Sequence, residues 1–355
     1  MKQNNTADIV IIGGGIIGCS IAYNLANQGA KNVVVLEKGE LCSGGTAKSC
    51  AITRSHYSIE ANVHHAVESV KIFENFDDMV GGDPRFTCTG QLVLGQEKHR
   101  PVMESVFCTQ NKYGSETQTL TPAEASKLHP LLQFEDVDVI GFESRSGYCD
   151  PYLTTIAYAK RAKDLGVKFY TGTPVTGIRI NGVNKTIETR RSDFECSTLI
   201  LAAGPWTHNL GKMLGIKFPY EISKHKVLTL KIDIPYEKDW PIVKDLLTPE
   251  KIYFRPDAGG VVLVGTGDQG DPVNNVEEMT NDVEMEHIER IGKLMANRMP
   301  AFAEAKLVRS WTGPYDIPPD WNPIIGPVPK LEGVHVAVGF SGHGFKLAPT
   351  IGESL

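Results

Sequence analysis

The chain has 355 residues, with 36 Lys+Arg against 42 Asp+Glu for a formal net charge of −6, and is 41% hydrophobic and 22% charged. That composition sustains a sizeable core and excludes a disordered chain, and an acidic balance with no basic, aromatic-interleaved stripe excludes a general affinity for nucleic acid. Glycine is the deviation, 35 residues against a usual ~7%, and without a G-X-Y period each glycine must serve a particular backbone position. The seven cysteines are irregularly spaced with no C-x-x-C, which predicts reduced thiols in a cytoplasmic protein and neither a disulfide frame nor a metal site. Residues 1–8 lack the basic region and cleavage site of a secretory signal. The apolar stretch 9–21 is cut by four glycines and falls short of the ~20 residues a membrane span needs.

In chain order, Ile9-Val-Ile-Ile12 reads as a strand buried on both faces, running directly into Gly13-Gly-Gly15-Ile-Ile-Gly18. Ile17, Ile21, Ala22, Leu25 and Ala26 then recur at helical spacing until Gly29, and residues 31–36 form a second strand ending at Glu37. This β-α-β unit is the dinucleotide-binding fingerprint in its proper context. Gly13 permits the tight turn, Gly15 lets backbone approach a pyrophosphate at the helix N-terminus, and Gly18 lets helix pack on strand. Glu37 stands where an acid accepts the ribose hydroxyls and repels a 2′-phosphate, which disfavours NADP.

The hydroxyl-rich loop 41–54 suits close passage of backbone along an extended cofactor. Asp150-Pro151 opens a helix, and residues 197–201 form a buried strand leading into Ala202-Ala-Gly204-Pro-Trp206. Residues 228–233 alternate as a half-buried strand does, and 252–254 with 261–264 read as a hairpin around Gly259-Gly260. Residues 283–299 form an amphipathic surface helix. The chain closes on a strand from 333 and the turn Gly339-Phe-Ser-Gly342-His-Gly344-Phe-Lys346, which starts a last helix; only nine residues follow Lys346, so that helix is short or has been cut.

The fingerprint, Ser43–Arg54, Val175-Thr-Gly-Ile178, Ala202–Trp206, Trp311-Thr-Gly313, Asn322–Gly326 and Gly339–Pro349 together resemble the D-amino-acid oxidase-like (DAO) family of FAD-dependent amine oxidoreductases, nearly end to end. Within it, Arg54 and the turn ending at Lys346 look most like the sarcosine oxidase branch, with its β subunits and dye-linked proline dehydrogenases. The resemblance implies an α/β protein: a Rossmann-like FAD-binding domain with a discontinuous antiparallel-sheet substrate domain. We assign residues 1–80, 145–218 and 306–355 to the first and 81–144 and 219–305 to the second.

For the cofactor, the resemblance implies contacts from Gly13, Gly15, Ile16, Ile17, Gly18, Glu37, Lys38, Ser43, Gly44, Gly45, Thr46, Val175, Ala203, Gly204, Trp206, Gly313, Gly342, Gly344, Phe345 and Lys346. Arg54 and Lys346 match positions that pair with the substrate carboxylate, His343 joins them as a catalytic candidate in the turn beside the flavin, and Tyr253 or Arg255 is expected to line the substrate cavity. The implied reaction is hydride transfer from a secondary or N-methylated amino acid, of sarcosine, dimethylglycine or L-proline type, to flavin, giving an imine that hydrolyses.

Departures from the family pattern carry information too. Gly313 stands where monomeric sarcosine oxidases bond flavin through cysteine, so FAD is expected to be non-covalent. Tyr315 stands where glycine and D-amino-acid oxidases hold a carboxylate with arginine, which disfavours that alternative. Residues 261–265 lack the lysine that promotes reaction with O₂, which leaves a dehydrogenase using another acceptor or partner subunit as the second reading. Cys149 occupies roughly the place of a histidine that holds a second flavin in heterotetrameric relatives, and reads as a small buried residue.

Overall fold

The computed structural model describes residues 3–355; Met1 and Lys2, at the head of the first cofactor-domain block, lie outside the described residues. A six-stranded sheet runs in the order Lys168–Tyr170, Val33–Leu36, Ile9–Ile12, Thr198–Leu201, Val334–Val338, Ile324–Pro327, parallel except for its last pair. The predicted run Ile9–Ile12 sits near its centre, covered on both faces. Ile11, Val33, Val35 and Ile200 point into a core shared with the helices Ile16–Asn27, Pro151–Asp164 and Gly344–Ser354. Val10, Ile12, Val34, Leu36 and Leu199 point the other way, onto Ile178, Ile187 and Phe194 of a four-stranded sheet. Alternation of side chains along each strand serves two cores at once, which is why these strands are apolar throughout.

A nine-stranded mixed sheet forms the second lobe. Its strands pair antiparallel except that Ile242–Asp245 runs parallel to Gln91–Gly95, a departure from the all-antiparallel expectation. The long excursion between the two strands leaves enough chain for a parallel crossover. One face carries Leu92, Leu94, Leu228, Leu230, Val243, Phe254, Val262 and Val264, packed with Ile291 and Met295 of the helix Met285–Arg298. The hairpin Tyr253–Asp257 with Val261–Gly265 turns at Gly259 and Gly260, both at positive φ (82° and 69°).

Two expectations differ in detail. Residues 227–230 are all buried instead of alternating, because the strand Glu221–Lys231 is hydrogen-bonded on both edges and covered on both faces. The strand Lys306–Ile317, grouped by sequence with the cofactor domain, pairs along its length with Glu221–Lys231 and so belongs by hydrogen bonding to the mixed sheet. Asp150 caps its helix as read from sequence, its Oδ1 accepting the Leu153 N–H at 2.9 Å. Among the described residues no helix is long and apolar enough to cross a membrane.

Candidate cofactor and substrate site

A cavity of about 640 Å³ lies between the C-terminal ends of the parallel strands and the inner face of the mixed sheet, the crevice where ligands of open α/β sheets bind. Every residue named from sequence for cofactor or substrate lines it except Gly18 and Arg255. Gly18 instead makes the close packing proposed for it, since a Cβ there would fall 1.9 Å from the Gly13 carbonyl oxygen.

At the fingerprint end, Gly13 has φ +120°, and a Cβ on it would sit 2.4 Å from the Ala202 carbonyl oxygen. The first turn of the helix Ile16–Asn27 has no acidic side chain to occupy its N–H groups; the Ile16 N–H donates to Thr46 Oγ1 at 3.2 Å. Glu37 is held at its strand end by the N–H groups of Gly14 and Gly39, each at 2.7 Å. Gly44 runs under the Trp206 ring, its notional Cβ 3.3 Å from Cζ3. Lys38 lies 4.3 Å from that ring and bonds Glu277 at 2.6 Å, tying the second lobe to the loop after Glu37. Val175 completes this end at a bulge in its strand. A glycine cradle, a helix N-terminus and a fixed ribose-side acid fit an extended dinucleotide.

At the other end stand Arg54, His343, Lys346, Tyr253 and Tyr315. Arg54 follows the short strand Ile52–Thr53, stacks on the Tyr57 ring at 4.8 Å and donates through Nη1 to the His56 carbonyl. Beneath it, the buried Glu143 carboxylate accepts from the Ser55 N–H at 3.0 Å and from the Ser55 and Ser146 hydroxyls, with His56 Nδ1 at 3.5 Å. Lys346 is buried in the first turn of the last helix. Burial and then the nearby Arg54 charge push its amine well below the ordinary lysine value. His343 is likewise pushed down, by burial first and then by Lys346 and Arg54. Gly342, at φ +74°, lies against Tyr315, where a Cβ would fall 2.1 Å from the ring. Tyr315 in turn stacks on His225 with centroids 3.7 Å apart.

Of the two strand candidates, Tyr253 lines the cavity, its hydroxyl 3.5 Å from Cys50 Sγ. Arg255 does not; it is engaged with the Cys50 and Pro256 carbonyls and Asp257. Gly313 faces the cavity beside Lys48, whose Nζ donates to Asn281 at 2.8 Å. Cys149 is buried, its N–H bonded to the Ala51 carbonyl at 3.0 Å. The sequence reading missed Gln91, His225 and Lys244, all of which line the cavity from the mixed sheet. A polar residue inside the runs Gln91–Gly95 and Ile242–Asp245 was the available signal, but only sheet pairing shows which face it occupies.

Chemically, the site joins a dinucleotide cradle to a pocket with two cations, Arg54 and Lys346, that form no salt bridge with a carboxylate among the described residues, although the Arg54 charge helps hold down the buried Glu143 carboxyl. Such a pair attracts a small carboxylate strongly where water is scarce.

The model of the FAD dependent oxidoreductase (DAO) family matches residues 8–355. The FAD-dependent oxidoreductase domain-containing protein 1 of Xenopus laevis is 29% identical, over 98% of this chain and 78% of its own length. Human mitochondrial dimethylglycine dehydrogenase is 28% identical over the whole chain, which spans only 42% of that relative. Among solved structures, L-proline dehydrogenase from P. horikoshii superposes with a TM-score of 0.90 at 29% identity, covering 99% of this chain and 92% of its own. Glycine oxidase from Geobacillus kaustophilus, at 23% identity and a TM-score of 0.83, shares the fold.

Proposed function

Because the chain belongs to the DAO family of FAD-dependent oxidoreductases, we propose that it oxidises a secondary or N-methylated α-amino acid of the sarcosine, dimethylglycine or proline type. The observation that carries this reading is the meeting of Arg54 and Lys346, unpaired, at the end of the cavity where the last helix begins. Arg54 would grip the substrate carboxylate as a fork and Lys346 would add a second charge, which orients the substrate within the cavity where FAD would be held. Bound FAD supplies the hydride acceptor. The N–H groups of Gly342 and Gly344 and the helix dipole favour the negative charge that develops on reduction, while the His343 N–H is taken by the Phe340 carbonyl at 2.7 Å. Tyr253 and Tyr315 wall the pocket and keep water from it. The cations also favour binding of the amine in its neutral form, since an ammonium beside Arg54 and Lys346 meets like charge.

In this reading the blocks 1–80, 145–218 and 306–355 hold FAD and residues 81–144 and 219–305 build the substrate wall, with the strand Lys306–Ile317 joined to that wall by hydrogen bonds. FAD is held without a covalent bond, as Gly313 offers no thiol, and the free thiols favour a cytoplasmic setting. A second reading, a flavoprotein subunit that passes electrons to a partner instead of O₂, is favoured by the lack of lysine in residues 261–265. The test is anaerobic mixing with sarcosine, dimethylglycine, L-proline and glycine, then readmission of O₂. Bleaching by one of the first three supports the amine reading, and slow return of colour in air supports the partner-dependent form. No bleaching by any of them defeats the proposed substrate class. Acid precipitation is expected to release all the yellow chromophore; retention in the pellet overturns the non-covalent assignment.

A further inference from the structure

Arg54 and Lys346 account for one carboxylate, yet a third cation, Lys244, lines the same cavity. It stands on the strand Ile242–Asp245, whose pleat sends Val243 into the apolar core and Lys244 to the opposite, cavity face. Its Nζ donates to the Lys251 carbonyl at 2.6 Å and lies 5.3 Å from the Tyr253 ring, and Gly267 leaves room for it, since a Cβ there would be 2.2 Å away. One carbonyl uses one of three N–H donors. Of the nearest acids, Asp245 is held by Arg298 at 2.8 Å, and Asp268, which also lines the cavity, accepts from the Thr266 hydroxyl at 2.8 Å and forms no salt bridge with Lys244. Among the described residues, no carboxylate forms an ion pair with Lys244.

A second observation comes from the neighbouring strand. Gln91 pairs directly with Ile242 in the parallel ladder, so it shares a sheet face with Lys244. It is 1% exposed, lines the cavity, and its Nε2 has no hydrogen-bond partner. A buried amide donor left unpaired is costly, and so is a desolvated lysine among other cations. An acidic group placed between them relieves both. A neutral acceptor would satisfy Gln91 but leave Arg54, Lys346 and Lys244 repelling one another around a single carboxylate.

We infer that Lys244 and Gln91 form a second anion subsite, and that the substrate is an amino acid with a further carboxylate distal to the one held by Arg54 and Lys346. This rests on the amine-oxidation reading above and narrows its substrate class to N-substituted amino dicarboxylates. The binding step needs no reaction and is tested separately from turnover.

With the FAD-loaded protein, succinate and glutarate are titrated against butyrate, none of which carries an oxidisable amine, and binding is followed by the change in flavin absorbance. The better diacid should bind at least about tenfold tighter than butyrate. Lys244→Met and Gln91→Leu should reduce that ratio toward one, and Lys244→Arg should keep most of it, with flavin content and Tm reported for each variant. In parallel, anaerobic reduction is compared for N-methylaspartate and N-methylalanine, with the first expected to saturate at lower concentration. Diacids no tighter than butyrate, or a ratio that survives Lys244→Met, would overturn the subsite. If N-methylalanine then still bleaches the flavin, amine oxidation stands without the subsite. If diacids are preferred but neither N-methyl amino acid reduces the flavin, the subsite stands and the amine reading falls.

Discussion

At the scale of single residues, the site depends on how Arg54 is held. Its guanidinium makes no ion pair among the described residues, and its position comes from the Tyr57 ring, the His56 carbonyl and the backbone that Glu143 anchors at Ser55. Charge-assisted bonds of this kind are worth about 1.5–3 kcal/mol, so Arg54→Ala should weaken substrate binding about 10- to 100-fold, read from the concentration dependence of anaerobic flavin reduction. Unchanged affinity would refute the carboxylate clamp. Glu143 carries its own pH signature. Burial pushes its carboxyl up, but His56 and the Ser55 N–H outweigh burial and hold it at about 2. A depressed folded value gives stability that is fully present above the unfolded value of 4.5 and is lost as pH falls from there toward 2. Glu143→Gln should therefore cost roughly 3 kcal/mol at pH 7, and the gap to the wild type should narrow as urea midpoints are followed from pH 6 to pH 2.5. A gap that stays constant with pH would show that the carboxylate is not held in this way.

Among the elements, the turn before the last helix is tightly constrained. Gly342 combines a left-handed φ of +74° with a Tyr315 ring that a Cβ would meet at 2.1 Å. Gly339 donates to the buried Asp316 carboxylate at 2.7 Å, and Ser341 donates to the Asp316 carbonyl at 3.0 Å. The strand ending at Ile317 therefore fixes the turn that lines the cavity. Strained backbone and overpacking each cost about 1–3 kcal/mol, so Gly342→Ala should lower Tm by several degrees and reduce the flavin content of the purified protein. Full flavin content with an unchanged Tm would mean that the turn relaxes freely.

Across the whole molecule, the two lobes meet over the cofactor cavity, and the segment 275–284 crosses back to the first lobe. Lys38 bonds Glu277 and Lys48 bonds Asn281, while within the second lobe the Thr312 hydroxyl holds the segment through the Thr280 carbonyl at 2.6 Å. Lys38 and Glu277 are about half exposed, at 43% and 54%, and a surface pair of that kind contributes about 0.2–1 kcal/mol. Lys38→Met should therefore speed FAD release by no more than about fivefold, less in 0.5 M salt, as followed by the rise of free-flavin fluorescence. Loss of most bound flavin at low salt would mean that this tie does more than a surface pair can.

Much of this was legible in the chain because the cofactor cradle is local. The turn Gly13–Gly18, the acid at Glu37 and the helix start at Gly344 are set by backbone sterics and hydrogen bonding within a few residues, so their spacing carries the signal, and the family motifs name the rest. The twofold burial of Ile9–Ile12 was also readable, since a strand apolar on both faces has to be covered on both. What only the tertiary structure decided is the mixed-sheet wall of the cavity. Lys244, Gln91 and His225 are polar residues on strands from distant segments, and no period reveals which face of a mixed sheet they occupy. Pairing did so, including the parallel ladder that brings Ile242 beside Gln91 and the ladder that carries residues 306–317 into the mixed sheet. A binding site for a cofactor with fixed chemistry leaves a local pattern, whereas specificity for a substrate is assembled from long-range contacts that the linear chain does not display.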